Sequence, residues 1–402
     1  LIIFLSIDEK MKTLLGEGTY GKVYREIYNE EEVAVKYIRS SSVGLQELGE
    51  VNTLLKFYHP NLMRLQHLKI TRDHIAIVMP IGIMEIDLNF LPKWVHGLLS
   101  GLYFMHKNGY VHGDIKRNNI LVINGEAVLS DFSISNRLHR LVGNVQSVCC
   151  KNPQQQYQIT PAIFKDPDPV LKKPYTLMQT DIWAMGCTIF CIINNTYPFH
   201  NNLQLDSKKL EHYIKTDELD GRPIFQDVIK TLLNPDPDEL NISISEILAL
   251  DSFENRYSKL TDGTFVENIE IPSPIVFDDN LKKRFKKLLS YIFSIQQSYD
   301  IPMEIIYNSI DILYRIFTTF LMGSDKQKIL IYASVCIIIS CKVYDFPGID
   351  YTDIVSITGT DKESLLDIEV EIVDFLGGFL DRDITNIPED FTSCILENPE
   401  NF

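Results

Sequence analysis

Two fold classes follow one another along this 402-residue chain: an α+β body, strands first and helices after, and then an all-α helical bundle. Three observations predict this. Up to about residue 80 the apolar residues come in short alternating runs, "TLLGEGTYGKVY" and "EVAVKYI", the period-two pattern of paired strands. From residue 93 onward the apolar spacing becomes helical. Beyond residue 280 it stays helical over five successive segments, with no strand-like run among them.

Within the strand-rich region one stretch, 44–57, is helical, because "LGEVNTLLKF" sets Leu48, Val51, Leu54 and Leu55 on one face. "WVHGLLSGLYFMHKNG" is the first long helix, stopped by Asn108–Gly109. A second, "DIWAMGCTIFCIINN", is expected to start at Asp181 as its N-cap. Residues 149–176 between them are polar and proline-bearing, and 263–280, "GTFVENIEIPSPIVFDDN", read as a linker. The bundle comprises "LKKRFKKLLSYIFSIQQ", "PMEIIYNSIDILYRIFTTF", "DKQKILIYASVCIIISCKVYD", "YTDIVSITG" and "KESLLDIEVEIVDFLGGFL". The third is apolar nearly all round and should be central. An acidic tail, 386–402, is expected to fray.

A net charge of -16 argues against nucleic acid and anionic membrane as partners, since phosphate contacts need an excess of Lys and Arg. Seven cysteines, with no C-x-x-C pair, suggest free thiols rather than disulfides or zinc, and hence an intracellular, cytoplasmic setting. The longest apolar run, 329–341, is shorter than the ~20 residues a spanning helix needs. The chain opens on Leu1 and reads as a fragment; its apolar start is a poor signal peptide and is given no function. "LKKRFKKLL" reads first as a polar helix face, with a nuclear-import or acidic-docking patch as the alternative.

The chemistry lies in residues of fixed order. "GEGTYGKV" carries Gly16, Gly18 and Gly21, whose amides could approach phosphates closely, although alone it would fit a hairpin as well. Lys36 in "VAVK" follows on the next strand, and Glu50 on the following helix could orient it. "HGDIKRNNIL" then supplies Asp114, Lys116 and Asn119, and "LSDF" supplies Asp131. Asp114 can accept the proton of an attacking hydroxyl, and Lys116 can neutralise the transferred group. Asn119 and Asp131 are oxygen ligands suited to Mg²⁺. Any one of these is commonplace; the order makes the set specific.

On these motifs residues 10–262 resemble a eukaryotic-type protein kinase, with "GEGTYGKVY", "HPNLMRL" and "TDIWAMGC" nearest the cyclin-dependent branch. The resemblance implies a bilobal kinase fold, a β-rich N-lobe over 10–82 and an α-rich C-lobe over 83–262, using ATP and Mg²⁺. It places Gly16, Gly18, Gly21, Val23, Lys36 and Glu50 on the nucleotide, with Met79 as gatekeeper and Pro80, Ile81 and Gly82 as hinge. Asp114, Lys116 and Asn119 become catalytic, Asn119 and Asp131 hold metal, and Asp181 binds the catalytic-loop backbone. Lys116 favours Ser/Thr substrates. Thr19 and Tyr20 stand where this branch takes inhibitory phosphates, or are ordinary loop-tip residues.

The sequence departs from that pattern at four places. Gly113 replaces an arginine that pairs with an activation-loop phosphate, and Ser133 replaces the glycine after Asp131–Phe132. Asn152–Pro153–Gln154 stand for Ala-Pro-Glu, and the arginine that would pair with that glutamate is also missing, near Asn241. Losing both partners avoids the roughly 3–5 kcal/mol cost of one stranded buried charge. Between Asp131 and Pro153 only Ser133, Ser135 and Ser147 carry hydroxyls, so activity independent of loop phosphorylation is expected. Ser133 is expected to sit less readily than glycine in the backbone there.

The segment 281–385 resembles a cyclin box, carried by "NSIDILYRIF", "LIYASVCIIISCKVYD" and the last two helical segments. The resemblance implies packing against the kinase's helix 44–57, a shift of population toward paired Lys36 and Glu50. The Lys–Glu pair many cyclins use at that contact is not evident, the corresponding places reading Asp300 and Tyr344–Asp345. A tethered pair would relax the need for a standard interface. The expected function is therefore a Ser/Thr kinase acting on protein substrates, with an intramolecular kinase–cyclin-like contact. The alternatives are a pseudokinase scaffold and a cyclin-like subunit acting in trans.

Overall fold

The structure, a computed structural model, describes residues 12–18, 21–39, 48–84, 87–133, 135–137, 177–195, 226–233, 244–250, 253, 260–266, 279–344 and 346–381. Thr19, Tyr20, Ser147, Asn152–Gln154, Asn241 and the acidic tail lie outside these residues. Two compact units result, divided as Leu1–Lys56, Leu65–Met79 and Val266–Phe402 for the first, and Phe57–Arg64 and Pro80–Phe265 for the second.

In the first unit β1 (Thr13–Gly18), β2 (Gly21–Tyr28) and β3 (Glu31–Arg39) form an antiparallel meander. Helix α1 (Leu48–Lys56) follows. In the second unit β4 (Phe57–Tyr58) comes next. The hairpin β5 (His67–Ile70) and β6 (His74–Pro80) completes a five-stranded sheet ordered β1-β2-β3-β6-β5. Val33, Val35, Ala76 and Val78 form its core, which is what the alternating apolar runs predict.

The second unit continues with α2 (Leu91–Lys107), β7 (Tyr110–Val111), β8 (Ile120–Ile123), β9 (Glu126–Leu129) and β10 (Asn136–Arg137). Then come α3 (Leu177–Asn194), α4 (Gln226–Leu232), α5 (Ile244–Leu248) and β11 (Thr264–Phe265). Here β8 and β9 pair as a hairpin through Asn124–Gly125, β7 pairs with β10, and β4 pairs with β11. Phe57 and Tyr110 meet edge to face with ring centroids 5.1 Å apart.

Two expectations change. Helix α3 begins at Leu177, so Asp181 is not its cap but a buried residue in its second turn. The expected linker is ordered at both ends. Thr264–Phe265 are a paired strand, the Val266 amide donates to the Lys56 carbonyl (2.9 Å), and helix begins at Asp279.

The rest of the first unit is the helical bundle: α6 (Asp279–Tyr299), α7 (Met303–Ile316) with a π turn Phe317–Leu321, α8 (Lys326–Val343), α9 (Tyr351–Thr358) and α10 (Lys362–Phe375). Helix α8 is central as predicted: Tyr332 to Cys341 are buried throughout, and it packs on α6, α7, α9, α10 and also α1. No helix among the described residues is long and apolar enough to cross a membrane.

Candidate active site

The first unit carries Lys36 and Glu50. The β2–β3 register sets Val23 opposite Lys36, and β3 is buried on both faces where Lys36 leaves it. Glu50 enters from α1. The Lys36 ammonium donates to both Glu50 carboxylate oxygens, at 2.8 Å and 2.7 Å. Lys36 is 8% exposed and Glu50 2%. A buried two-pronged pair costs several kcal/mol in desolvation, recovered only by tight geometry, so it fixes where both side chains lie. Gly16 is exposed on β1, and Gly21 runs so close to β3 that a Cβ would lie 2.5 Å from the Tyr37 carbonyl oxygen. Gly18 ends β1 beside Gly21, and Met79 on β6 is half-buried.

Helix α1 is held from its other side by the bundle. After α10, Gly377 and Gly378 take φ of +59° and +76° and reverse the chain. A Cβ on Gly378 would lie 2.7 Å from both Val51 and Leu68, so this turn needs glycine for space as well as for backbone angle. The reversal carries Phe379, Leu380 and Asp381 onto α1, all buried. The Asn52 side-chain oxygen accepts from the Leu380 amide (3.2 Å) and the Asp381 amide (3.1 Å). The Lys56 ammonium meets the Asp381 carboxylate at 2.9 Å, both side chains 1% exposed. Tyr344 donates to the other Asp381 oxygen (3.2 Å), and Arg315 donates to the Phe379 carbonyl (2.8 Å). Arg72, near the β5–β6 turn, adds exposed pairs to Glu363 and Asp367 that contribute little.

A Lys–Glu pair with little exposure also lies within the bundle. Lys342, in the last turn of α8, donates to Glu369 of α10. Burial pulls its ammonium below the usual lysine range, against the opposing pull of Glu369. Its neighbour Val343 abuts α1, with a carbonyl oxygen 3.3 Å from where a Cβ on Gly49 would stand. The sequence signal was a lone lysine ending an apolar helix.

The second unit carries Asp114, Lys116, Asn119 and Asp131. Between β7 and β8 the chain turns through 112–119, ending in one 3-10 turn, Arg117–Asn119. Asp181 organises this loop from α3. Its carboxylate accepts the His112 amide (2.8 Å), the Gly113 amide (2.9 Å) and His106 Nε2 (2.9 Å). The Lys116 ammonium lies 2.5 Å from the Asp114 carboxylate. The Asn119 amide nitrogen donates to the Asp114 carbonyl (2.8 Å) and carboxylate (3.0 Å), so Asn119 Oδ1 remains for a cation. The Ser130 amide bonds the Asn119 carbonyl (2.8 Å) and places Asp131 next. Among the hinge residues, Gly82 packs on β8, where a Cβ would lie 2.7 Å from Leu121, and Ile83 pairs with Val122. Ile81 and Pro80 are half-buried.

Two departures now have physical accounts. Gly113 sits at φ +79°, in the left-handed region where an L side chain is strained. Restoring arginine there, Gly113→Arg, is expected to cost about 1–2 kcal/mol of stability in chemical denaturation. It should also leave transfer activity no higher than wild type. Ser133 does not carry the expected penalty. The left-handed residue of this turn is Asp131, φ +67°, and Ser133 is not among the positive-φ residues.

Burial holds His59 and His112 neutral, their pKa values lowered chiefly by desolvation, and His74 follows to a lesser depth. His59 Nδ1 accepts the Asn61 amide (3.0 Å), and Nε2 faces the Thr261 carbonyl (2.9 Å), so protonation would break the first bond. The unfolded chain therefore takes up these protons first. Stability present at neutral pH should fall as pH drops below about 6.5. A thermal midpoint unchanged between pH 7.5 and 5.5 would contradict this.

Asn119 and Asp131 are hard oxygen donors. Among the described residues no cluster of three or more His, Cys, Asp or Glu could hold a metal unaided. That donor set fits Mg²⁺, which keeps waters and nucleotide phosphates as its other ligands.

The ordered set Lys36–Glu50, Asp114–Lys116–Asn119 and Asp131 has its counterpart in known sequences. Residues 10–253 match the protein kinase domain. The chain belongs to the protein kinase family. Residues 265–380 of this kinase chain match the N-terminal domain of cyclins. Similar curated proteins include NUAK family SNF1-like kinase 1 of Mus musculus, 26% identical over 251 residues, covering 56% of this chain and 36% of that protein. CBL-interacting protein kinase 25 of Oryza sativa subsp. japonica is 26% identical over 278 residues (62% and 51%). CBL-interacting serine/threonine-protein kinase 10 of Arabidopsis thaliana is 29% identical over 262 residues (58% and 51%). The kinase chain thus spans from about a third to half of these relatives' length.

Proposed function

We propose that this chain is a Mg²⁺- and ATP-dependent Ser/Thr protein kinase whose cyclin-like segment activates it from within the same polypeptide. The observation that supports the second clause is the double engagement of α1. Glu50 is committed to Lys36, while Asn52 and Lys56 are committed to residues 380–381. Six residues of helix span about 9 Å, too short and stiff to let one end move without the other. A clamp on Lys56 is therefore a clamp on Glu50.

In this reading Gly16, Gly18, Gly21 and Lys36 hold the nucleotide phosphates, and Val23, Met79, Ile81 and Gly82 enclose its base. Magnesium, when bound with ATP, neutralises phosphate charge and aligns the leaving group. Asp114 orients the acceptor hydroxyl of a protein substrate and takes its proton. Lys116, already paired with Asp114, is placed to neutralise the transferred group. Asn119 and Asp131 carry the cation. Asp181 keeps the 112–113 backbone in place from α3. Glycine at 113 leaves no guanidinium to receive an activating phosphate, so the bundle takes over as the switch. We place the protein inside the cell, in cytoplasm or nucleus.

The test is γ-phosphate transfer from ATP to a general protein substrate by the full chain, with Asp131→Asn as background. Transfer above that background, with phosphoserine or phosphothreonine as product, supports the reading. Absence of any excess would overturn it.

A further inference from the structure

Two cations follow one another in the loop 112–119, and they leave it in different directions. Lys116 has extended backbone angles (φ −157°, ψ 162°), which send successive side chains to opposite sides. Its ammonium goes to the Asp114 carboxylate. Arg117, which opens the 3-10 turn, goes instead to the end of α3, where its guanidinium donates to Asn195 Oδ1 at 2.5 Å. Asn195 follows α3 in the left-handed region, φ +56°, a stop position that asparagine tolerates. Its amide closes the last turn on the Cys191 carbonyl (2.9 Å), so the acceptor offered to Arg117 is itself fixed.

The charge of Arg117 meets no full counter-charge there. Helix α3 carries a single carboxylate, Asp181, which is buried and given to His106 and the 112–113 amides. Asn118, beside Arg117, is exposed and neutral. Among the described residues no carboxylate pairs with Arg117, although the chain as a whole has a net charge of -16. An asparagine oxygen and the C-terminal end of a helix supply only partial negative charge. The bond to Asn195 also uses only one of several guanidinium N–H donors. A guanidinium so held is suited to grip a carboxylate or phosphate in two-pronged fashion.

We propose that Arg117 is a specificity-determining residue that reads an acidic side chain in the protein substrate. Position 117 is three residues from Asp114, so their Cα atoms are at most about 11 Å apart. An extended peptide covers that distance in about three residues, which puts the anion within a few residues of the acceptor hydroxyl. The chemistry recognised is an oxyanion, carried by Asp or Glu or by an already phosphorylated residue. The inference rests on the protein-kinase reading and deepens it by naming the substrate class, acidic rather than basic segments.

The experiment measures initial rates of γ-phosphate transfer by the full chain to peptide libraries with a central serine and random flanks. Each library fixes glutamate, phosphoserine, glutamine or lysine at one flanking position, scanned along the peptide. At the position read by Arg117, wild type should favour glutamate over glutamine by about tenfold, the size of a charge-assisted hydrogen bond, and lysine should fall below glutamine. A phosphoserine preference without a glutamate preference would assign Arg117 to phosphorylated substrates, the second source of the same chemistry. Arg117→Glu should invert the order and make the lysine library best. Asn195→Asp supplies the missing carboxylate while leaving Arg117 in place, and should bring the glutamate-to-glutamine ratio close to one. Ratios compare peptides within one protein, so a variant of lower overall activity still reports. Equal wild-type rates on the anionic and glutamine libraries at every position overturn this inference alone, as does an acidic preference retained in Arg117→Glu or Asn195→Asp. Transfer to no library above the Asp131→Asn background overturns the kinase reading and this inference with it.

Discussion

Asp131→Asn should lower phosphoryl transfer by about a thousandfold while leaving the fold intact. The size follows from what the carboxylate does. Transfer of a phosphoryl group asks little covalent chemistry of the protein and much electrostatic stabilisation, and single preorganised groups of this kind are worth 10²–10³ in rate. Asparagine is the informative substitution because it isolates charge. It is isosteric, it tolerates the left-handed backbone that Asp131 occupies, and its carbonyl oxygen can still accept from Ser133. Denaturation midpoints should therefore agree between variant and wild type. A variant retaining more than about a tenth of wild-type transfer would contradict the assignment of Asp131 to the cation.

Lys56→Met or Asp381→Leu alone should destabilise the first unit by about 3–5 kcal/mol, and the two together by far less. Each single change removes the opposite charge from a site where both partners are 1% exposed, and the double change replaces the pair with apolar groups. Denaturant unfolding of all four forms closes the cycle. The same four forms test activation. If the clamp holds Glu50, each single variant should lose at least about tenfold in transfer, with faster amide exchange along α1, and the double variant should regain both. Faster exchange at α1 with transfer unchanged would remove the bundle from the activation of the kinase. Equal stability in single and double variants would mean that Lys56 and Asp381 are not coupled.

What the sequence makes legible is whatever a short stretch carries whole. "HGDIKRNN" contains its acid, its lysine and its amide within eight residues, and the structure brings Asp114, Lys116 and Asn119 into mutual contact. The β-then-α order and the central position of α8 are read from periodicity, because burial on one face or on all faces writes itself into composition. The clamp is different in kind. Lys56 and Asp381 are 325 residues apart, so no local rule connects them. A trace existed: Leu48, Asn52 and Lys56 recur at four-residue spacing along a helix that has no solvent face. A polar residue on such a helix must find its partner elsewhere. Asp181 fails locally for the opposite reason. An aspartate before an apolar helical run is good cap chemistry, but the helix extends upstream of it and the carboxylate serves the backbone of 112–113 instead.

The distance between Lys56 and Asp381 also sets an order of events during synthesis. At about 5–20 residues per second, roughly 15–65 s separate the appearance of the ammonium from that of its carboxylate. Throughout that interval the contacts of Asn52 and Lys56 with 380–381 cannot form. A chain terminated before Leu380 would possess every residue of both catalytic halves and yet never acquire the last contacts on α1. Under the proposed activation, completion of the polypeptide would be coupled to readiness of the catalyst.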